Sequence, residues 1–213
     1  MLRDLPGVVV ACPSNGPDAA KMLRHCVKLA HEQGRVVVFL EPIALYMCKD
    51  LHQPGDNQWL FDYPAPNESV ELGEVSLCGE GDTVILTYGN GYYLSRQAQK
   101  LLDERENVST KVVDLRWLSP LPKAAIINAV AGAKRVLIVD EGRKSGSVSE
   151  ALVTLLVESL EYMPKIARIT GEDCFIPLGD AWTHVLPSRD KIIEAVLNLM
   201  KDAGEQSGRL SIT

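Results

Sequence analysis

The sequence has few metal-binding or disulfide-forming residues, and they are scattered. It contains 5 cysteines and 4 histidines in 213 residues, with no CxxC, HxxH or HExxH spacing. A zinc site needs closely spaced pairs of such side chains, and a disulfide-stabilised secreted fold needs an even number of cysteines. The sequence therefore argues against both, and it indicates reduced thiols in the cytoplasm.

Long apolar runs and an excess of positive charge are also missing. No apolar run approaches the roughly 20 residues that span a bilayer, and no signal-peptide pattern opens the chain. The net charge of −6 and the pI near 5.3 argue against a nucleic-acid surface. What is present, 46% hydrophobic residues, is enough for a folded core. We predict a cytoplasmic protein that binds neither membranes nor nucleic acids.

The chain begins with one strand–helix–strand pattern. The apolar run at 8–11 predicts a buried strand, and the run at 36–40 predicts a second one, also fully buried. Between them, a proline followed by Asp18 is typical of a first helical turn, and Gly34 of a helix end. One βαβ unit is too small to form a domain. We therefore expect this unit to be the end of a domain whose beginning is missing.

Periodicity fades between residues 51 and 80, where prolines, glycines and polar residues dominate. So long a connection is unusual inside one domain, and we predict an interdomain linker. Its aromatic residues, Trp59, Phe61 and Tyr63, are expected to hold it against the protein surface. An edge strand is expected within residues 70–77.

A fuller α/β pattern follows from residue 81 to residue 202. Apolar runs predict strands at 84–87, 111–115, 135–139 and 166–170. Apolar periodicity predicts helices at about 92–105, 120–131, 147–160 and 188–201. Ser119 is the predicted cap of the second helix and Pro120 its first residue. This alternation predicts a mostly parallel open sheet, followed by a flexible tail at 203–213.

Polar residues follow the predicted strands, at the edge where open α/β sheets bind ligands. Asp140, Glu141 and Gly142 follow one strand, and Gly146 and Glu150 come soon after. Adjacent carboxylates could serve acid–base chemistry or hold a cation. The pattern also fits a glycine-rich turn with acids near a helix start, and we favour that interpretation.

Two enzyme motifs are incomplete. Residues 88–91, Tyr-Gly-Asn-Gly, begin like a GxGxxG dinucleotide motif, but Leu94 stands where its last glycine belongs. We favour a tight strand-to-helix turn there. A nucleophilic triad could be written from Ser147, His184 and Asp140, but the sequence has no GxSxG motif to support it.

Two charged positions have open interpretations. Glu41 follows the second strand and precedes a proline, so it is either a functional carboxylate or part of a proline-anchored turn. Arg116 stands close to Asp114 at the end of a predicted strand, and we interpret it as structural.

Together these segments resemble beta subunits of 2-oxo acid dehydrogenases, in the thiamine-diphosphate-dependent decarboxylating component. The first part is similar to the end of their pyrimidine-binding domain, and the second part to the transketolase C-terminal domain. The segments that carry the resemblance are 11–19 and 39–46, then 81–89, 113–120 and 139–150. The Glu-Pro-x-x-Leu-Tyr element from Glu41 to Tyr46 is closer to the 2-oxo acid dehydrogenase branch than to transketolase itself.

The resemblance implies a fold and a division of the chain. The fold is an α/β one, with a mostly parallel open sheet of the transketolase C-terminal type preceded by a partial βαβ unit. The implied parts are the end of a pyrimidine-binding domain (1–50), a linker (51–80), a transketolase C-terminal-like domain (81–202) and a flexible tail (203–213).

The resemblance also implies an activity for the complete enzyme. That activity is oxidative decarboxylation of a 2-oxo acid with acyl transfer to lipoyl, using thiamine diphosphate and magnesium. The family's catalytic glutamate and histidine loop correspond to positions before residue 1, so no catalytic or cofactor-binding residue is assigned in this chain. The chain alone is expected to be inactive. The implied partners are an alpha subunit or upstream catalytic domain, a second copy of the chain, and a dihydrolipoyl acyltransferase core.

Residues of this chain that match interface or metal positions of the family are few. Cys26 matches one position of a potassium site found in some relatives. The implied interface residues are Asp140, Glu141, Gly142, Gly146, Glu150, Glu41 and Tyr46.

Two other functions stay open. A stand-alone interaction module could use the C-terminal sheet to bind a partner subunit. Part of a transketolase would need basic side chains for sugar phosphates at the sheet edge, and only Arg143 and Lys144 offer them.

Overall fold

The computed structural model describes residues 2–201, and the predicted tail at 203–213 lies outside them. Its strands are β1 (Val9–Ala11), β2 (Val37–Phe39), β3 (Ser76–Cys78), β4 (Thr83–Thr87), β5 (Thr110–Asp114), β6 (Trp117–Ser119), β7 (Arg135–Arg143) and β8 (Lys165–Gly171). Its α-helices are α1 (Gly16–Gln33), α2 (Asn90–Glu106), α3 (Lys123–Val130), α4 (Val148–Ser159), α5 (Trp182–Val185) and α6 (Arg189–Lys201). Short 3-10 helices occupy Leu2–Asp4, Ile43–Leu45 and Gly179–Ala181.

The predicted βαβ unit is confirmed, because β1 and β2 pair in parallel across α1. The Asn15 side chain accepts a hydrogen bond of 2.9 Å from the amide of Asp18 and so caps the helix start. Gly34 ends the helix in the left-handed conformation, with φ of 61°.

The first sheet contains a third strand that the sequence did not reveal. Its order is β2-β1-β6, and β6 pairs antiparallel with β1. The prediction of a helix capped by Ser119 and begun by Pro120 was therefore wrong, since α3 begins at Lys123. Ser119 instead pairs with Val10, and its hydroxyl donates to the carbonyl of Val8.

The second sheet has the order β3-β5-β4-β7-β8. β5, β4, β7 and β8 are parallel, which confirms the predicted mostly parallel α/β fold. β3 pairs antiparallel with β5 at one edge, so an edge strand does form near the end of the predicted 70–77 segment.

Packing on the two faces of β1 explains why that strand is apolar throughout. Val9 and Ala11 face a cluster with Met22 of α1, whereas Val10 belongs to the core that includes Leu86 of the second sheet. β1 is therefore buried between its own helix and the neighbouring sheet.

The strand β2 lies at the edge of its sheet and is only half-buried along its length. The prediction of a fully buried second strand was wrong, and Val36 just before it is 64% exposed. An edge strand has one pairing partner instead of two, so its side chains and backbone stay open to solvent on the other side.

One aromatic residue anchors the long connection between β2 and β3. Trp59 is buried, and its ring centroid lies 5.0 Å from that of Tyr93 in α2 and 6.1 Å from that of Tyr92. Phe61 packs on Trp59, and Tyr63 lies beside the Arg24 guanidinium, but both stay exposed. Burial of Trp59 fixes the connection on the outer face of α2.

Among residues 2–201, none of the helices combines the length and the apolar composition that crossing a membrane requires.

Candidate functional site

The candidate site is the irregular end of β7 together with the turn that follows it, which we call the acid turn (residues 140–150). Residues 140–143 are the last four of β7, where the pairing with β8 shifts its register between Asp140 and Arg143. Asp140 is 1% exposed and accepts three hydrogen bonds inside the protein. Its Oδ1 atom accepts from the Tyr88 hydroxyl at 2.5 Å and the Gly142 amide at 2.7 Å. Its Oδ2 atom accepts from the Ser149 amide in the first turn of α4, at 2.7 Å. The carboxylate is thus occupied in closing the turn.

Gly142 is required at its position by close packing. A Cβ atom there would lie 2.8 Å from Asp140 Oδ1 and 3.0 Å from the Ser147 Cβ. Any larger residue would push the turn away from Asp140. The glycine predicted as part of the site therefore shapes the turn.

The remaining acids of the turn divide between interior and surface. Glu141 accepts a hydrogen bond of 2.6 Å from the Asn90 side chain, and burial raises its pKa. Glu150 is exposed, accepts from the Gly146 amide at 2.9 Å and lies 3.9 Å from the Arg168 guanidinium. The structure thus brings all five predicted residues together, two acids facing inward and one outward.

An exposed rim runs along the outside of the acid turn. Arg143, Lys144 and Ser145 are all exposed. The amide and hydroxyl of Ser145 donate to the Asp173 carboxylate at 2.9 and 2.6 Å. This pair of hydrogen bonds ties the acid turn to the loop after β8, so the two segments form one continuous surface.

The acid turn stands next to a buried junction between the two sheets. The Gly89 amide donates to the Ser14 hydroxyl at 2.8 Å, and Ser14 is fully buried. A Cβ atom on Gly89 would lie 3.3 Å from Cys12 Sγ and 3.4 Å from Pro42 Cγ. The Tyr-Gly-Asn-Gly segment is therefore a tight strand-to-helix turn packed against the first sheet.

A buried ion pair also joins the sheets. Arg116 donates two hydrogen bonds to the Asp18 carboxylate, of 2.9 and 2.8 Å, and a third to the carbonyl of Val75. The Asp18 side chain is 4% exposed and the Arg116 side chain 12%. The structural interpretation of Arg116 is confirmed, although its guanidinium pairs with Asp18, and only its backbone amide donates to the neighbouring Asp114, at 3.2 Å. Nothing in the local sequence pattern indicated that partner.

Asp114 is a buried carboxyl at the same junction, and sequence reasoning missed its role. Its side chain is 0% exposed, and Oδ2 has no hydrogen-bond partner among the described residues. Burial raises the pKa of Asp114 to about 7, while hydrogen bonding to Ser14 and the Arg116 charge act in the opposite direction. Burial also raises the pKa of the nearby Cys12 thiol. Burial therefore disfavours the charged form of both groups.

Glu41 and Tyr46 line a cleft of about 650 Å³ whose lining includes no residue of the acid turn. The Tyr46 hydroxyl donates to Glu41, and this hydrogen bond raises the pKa of Tyr46. Both side chains are exposed. The cleft lies between the start of α1, the end of β2 and the linker aromatics Trp59 and Phe61. The predicted interface residues thus form two separate groups.

Cys26 lies in the apolar cluster under α1, with Met22 and Trp117 as neighbours. Burial raises the pKa of its thiol to about 11. These side chains offer no oxygen ligand to a cation, so a potassium site there would have to use backbone carbonyls. Within residues 2–201 no group of His, Cys, Asp and Glu side chains could hold a metal ion.

The Ser/His/Asp arrangement does not form. The Ser147 hydroxyl is 2.8 Å from the Ser149 hydroxyl, and both oxygens of Asp140 accept from other donors. His184 lies in α5 and is exposed. The site therefore offers fixed turns and a charged rim instead of a nucleophile.

Comparison with known proteins identifies the fold that carries this site. The sequence model of the family described as "Transketolase, C-terminal domain" matches residues 74–192, which is more than half of the chain. The chain belongs to the transketolase C-terminal domain family. The matched region of this family member includes the acid turn, β3 and the whole second sheet.

Curated relatives of this family member extend the match into the first sheet. The chain is 28% identical over 204 residues to the pyruvate dehydrogenase E1 component subunit beta of Acholeplasma laidlawii, covering 94% of this chain and 58% of the relative. The subunit of the same name from Bacillus subtilis (strain 168) gives the same identity and coverage. The chain thus spans 58% of the length of these relatives.

A solved structure shares the fold of this transketolase C-terminal domain protein. It is described as a split gene transketolase, inactive beta4 tetramer, with a TM-score of 0.69 and 22% sequence identity. The similarity covers 94% of this chain and 59% of that one. Both sheets, and not only the second, therefore belong to a known arrangement.

Proposed function

We propose that the chain serves as the C-terminal portion of a thiamine-diphosphate-dependent 2-oxo acid dehydrogenase, of which it forms the beta-type part. The complete enzyme would decarboxylate a 2-oxo acid oxidatively and transfer the acyl group to lipoyl. The observation that carries this proposal is the use of the acid turn. Its buried carboxylate closes the turn and its outer rim stays free, so the turn suits subunit contact better than proton transfer. The match to beta subunits over 94% of the chain supports the assignment.

The cofactors of the proposed enzyme are thiamine diphosphate and magnesium. We assign neither to a residue of this chain, because the carboxylates Asp140 and Glu141 already have partners within the chain. Thiamine diphosphate would supply a carbanion for decarboxylation when bound, with the rest of the enzyme holding it. The potassium ion that the resemblance implies near Cys26 does not fit the residues there, because Cys26 lies in the middle of α1, where the backbone carbonyls already accept helical hydrogen bonds, and its side-chain neighbours are apolar.

The proposed partners follow from the two exposed groups of predicted interface residues. An alpha subunit or upstream catalytic domain, or a second copy of the chain, would contact the rim of the acid turn and the Glu41–Tyr46 region. A dihydrolipoyl acyltransferase core would dock on the assembled enzyme. We propose a cytoplasmic location for this assembly and no contact with nucleic acid or membrane.

The test is reconstitution from separately produced parts. The chain is combined with the alpha subunit and the upstream pyrimidine-binding domain encoded in the same genome, and decarboxylation of 2-oxo acids is measured with and without the chain. Turnover that requires the chain supports the proposal, whereas failure to bind the alpha subunit overturns it. Binding without turnover would indicate a stand-alone interaction module, and turnover of sugar phosphates would indicate a transketolase.

A further inference from the structure

A second, polar pocket lies at the other end of the second sheet. It has a volume of about 310 Å³ and lies at the amino-terminal ends of β4 and β5, whereas the acid turn includes the carboxyl end of β7. Its walls are one face of α2, the loop before β4 and His52 of the linker. This volume is at the lower end of the range of about 300–1,000 Å³ that is typical of small-molecule sites.

Positive groups converge on this polar pocket. Arg96 and Lys100 lie one helical turn apart on α2, and both line the pocket together with His52. Lys100 also lies 3.8 Å from the Glu104 carboxylate, in an exposed pair of the kind that contributes little. Burial lowers the pKa of His52, and the charges of Lys100 and Arg96 lower it further, while Asp56 and Glu104 act in the opposite direction. Three nitrogen-bearing side chains from two separate segments therefore lie close together around one cavity.

The guanidinium of Arg96 has unused hydrogen-bonding capacity. It lies 5.9 Å from the centre of the Tyr92 ring, and within residues 2–201 its one hydrogen bond goes to the Tyr92 hydroxyl at 3.4 Å. Among the described residues no carboxylate pairs with it, and its buried Nε has no acceptor. The buried hydroxyl of Thr110, which also lines the pocket, has no partner either. Unpaired buried donors are costly, so the fold leaves donors unsatisfied beside this pocket. Both atoms are closed off from solvent, and a ligand in the pocket would therefore reach Arg96 through its terminal nitrogens.

We propose that this pocket binds a small anionic ligand whose phosphate or carboxylate group is held by Arg96 and Lys100. Arg96 would bind two oxygens of that group with its planar donors, and Lys100 would add a point charge. Two carboxylates, Glu80 and Asp103, also line the pocket. Asp103 follows Arg96 by seven residues, which places it about 10 Å further along the helix axis. Hydroxyl or ammonium groups of the ligand would therefore face the Asp103 end of the pocket, away from Arg96.

The charge of the whole chain makes this site distinguishable from general attraction of anions. The formal net charge is −6, so a small anion is repelled by the protein as a whole. Saturable binding of an anion therefore requires a local group of positive charges. The proposal concerns a ligand of the second sheet and is independent of decarboxylation activity.

The test is a calorimetric titration of the full chain at constant ionic strength, once with inorganic phosphate and once with acetate. We expect saturable binding of at least one of the two, and the arm that binds tells a phosphate site from a carboxylate site. Arg96→Gln and Lys100→Gln should each weaken binding about tenfold, the value of one charge-assisted hydrogen bond. Arg105→Gln removes the same charge from an exposed position on α2 and should leave binding unchanged.

Protonation of His52 provides an independent readout. An anion in the pocket favours the protonated imidazole. Affinity for acetate, which stays ionised above about pH 6, should therefore rise as pH falls towards the pKa of His52, which lies below its usual value of 6.5. His52→Gln should remove this trend. The proposal is overturned if neither anion binds up to about 10 mM, a limit corresponding to a very weak site. It is also overturned if Arg105→Gln weakens binding as much as Lys100→Gln does. If Arg96→Gln does not fold, the comparison of Lys100→Gln with Arg105→Gln alone decides the test.

Discussion

At the scale of single residues, Asp140 shows how an apparent active-site acid is used in the fold. Its donors come from three stretches of chain, Tyr88 after β4, Gly142 within the turn and Ser149 at the start of α4. Each donor would be left unpaired if the carboxylate were lost. The sequence around Asp140 was compatible with acid–base chemistry or with a structural turn. Its three hydrogen bonds favour the structural role.

Asp140→Asn should destabilise the protein by about 2–3 kcal/mol, because one carboxylate oxygen becomes an amide that cannot accept. Urea unfolding measures this change in the free energy of unfolding. Asp190→Asn is the matched control, since the side chain of Asp190 is 78% exposed and a change there should stay within about 0.5 kcal/mol. Equal effects of the two substitutions would contradict the role assigned to Asp140.

Asp114 should make stability depend on pH in an unusual direction. Its pKa is about 7 in the folded protein against 3.8 as the ordinary value, so the folded state holds a proton that the unfolded state has released. Stability contributed by this group is therefore present at low pH and lost as pH rises from about 4 to about 7.

The measurement compares urea unfolding of the natural chain and Asp114→Asn across this pH range. The difference between them should change by up to about 1.4 kcal/mol per pH unit, because all other titrating groups are common to both proteins. A difference that stays constant with pH would show that Asp114 titrates normally.

At the scale of elements, the linker between β2 and β3 is held by a few buried side chains, of which Trp59 is the largest and which include Leu51 and Val70. Trp59 is 6% exposed, whereas Phe61 beside it is 49% exposed. Tyr93 and Gln97 of α2 add hydrogen bonds to the carbonyls of Asp50 and Leu51. The connection therefore follows the protein surface without regular structure.

Trp59→Ala should release this linker and destabilise the protein by about 3 kcal/mol through lost burial. Limited proteolysis should then cut within residues 51–65 much faster than in the natural chain. Phe61→Ala is the control, because an exposed ring contributes little, and its cleavage pattern should match that of the natural chain. Rapid cleavage of both variants would mean that Trp59 is not the anchor.

At the scale of the whole molecule, the exposed rim of the acid turn continues into the loop after β8. The Ser145–Asp173 hydrogen bonds join the two segments. That loop exposes large apolar side chains, with Phe175 at 99% and Leu178 at 95%. Exposed apolar groups of this size beside a charged rim fit the subunit contact that we propose for this surface.

Lys144→Glu should slow association with the alpha subunit about tenfold at low salt and have little effect at high salt, because rim charges act mainly on encounter. Surface plasmon resonance at two ionic strengths measures this change. Lys123→Glu on the exposed side of α3 makes the same charge change outside the rim. If Lys123→Glu slows association equally, the rim is not the contact surface.

The sequence by itself determined the elements and the family of this protein. Apolar runs and helical periodicity placed most strands and helices within a few residues, because those signals depend on neighbours one turn or two residues apart. The order of motifs indicated the transketolase C-terminal type, which the family match confirms.

Only the tertiary structure decided how the two sheets are joined and which way the acids face. β6 pairs with β1 across more than a hundred residues, and Arg116 reaches Asp18 across a separation of 98. Such contacts depend on the path of the whole chain, so no local pattern encodes them. Local pattern also does not show which acids of the acid turn face the interior. In the structure Asp140 and Glu141 face inward and Glu150 is exposed.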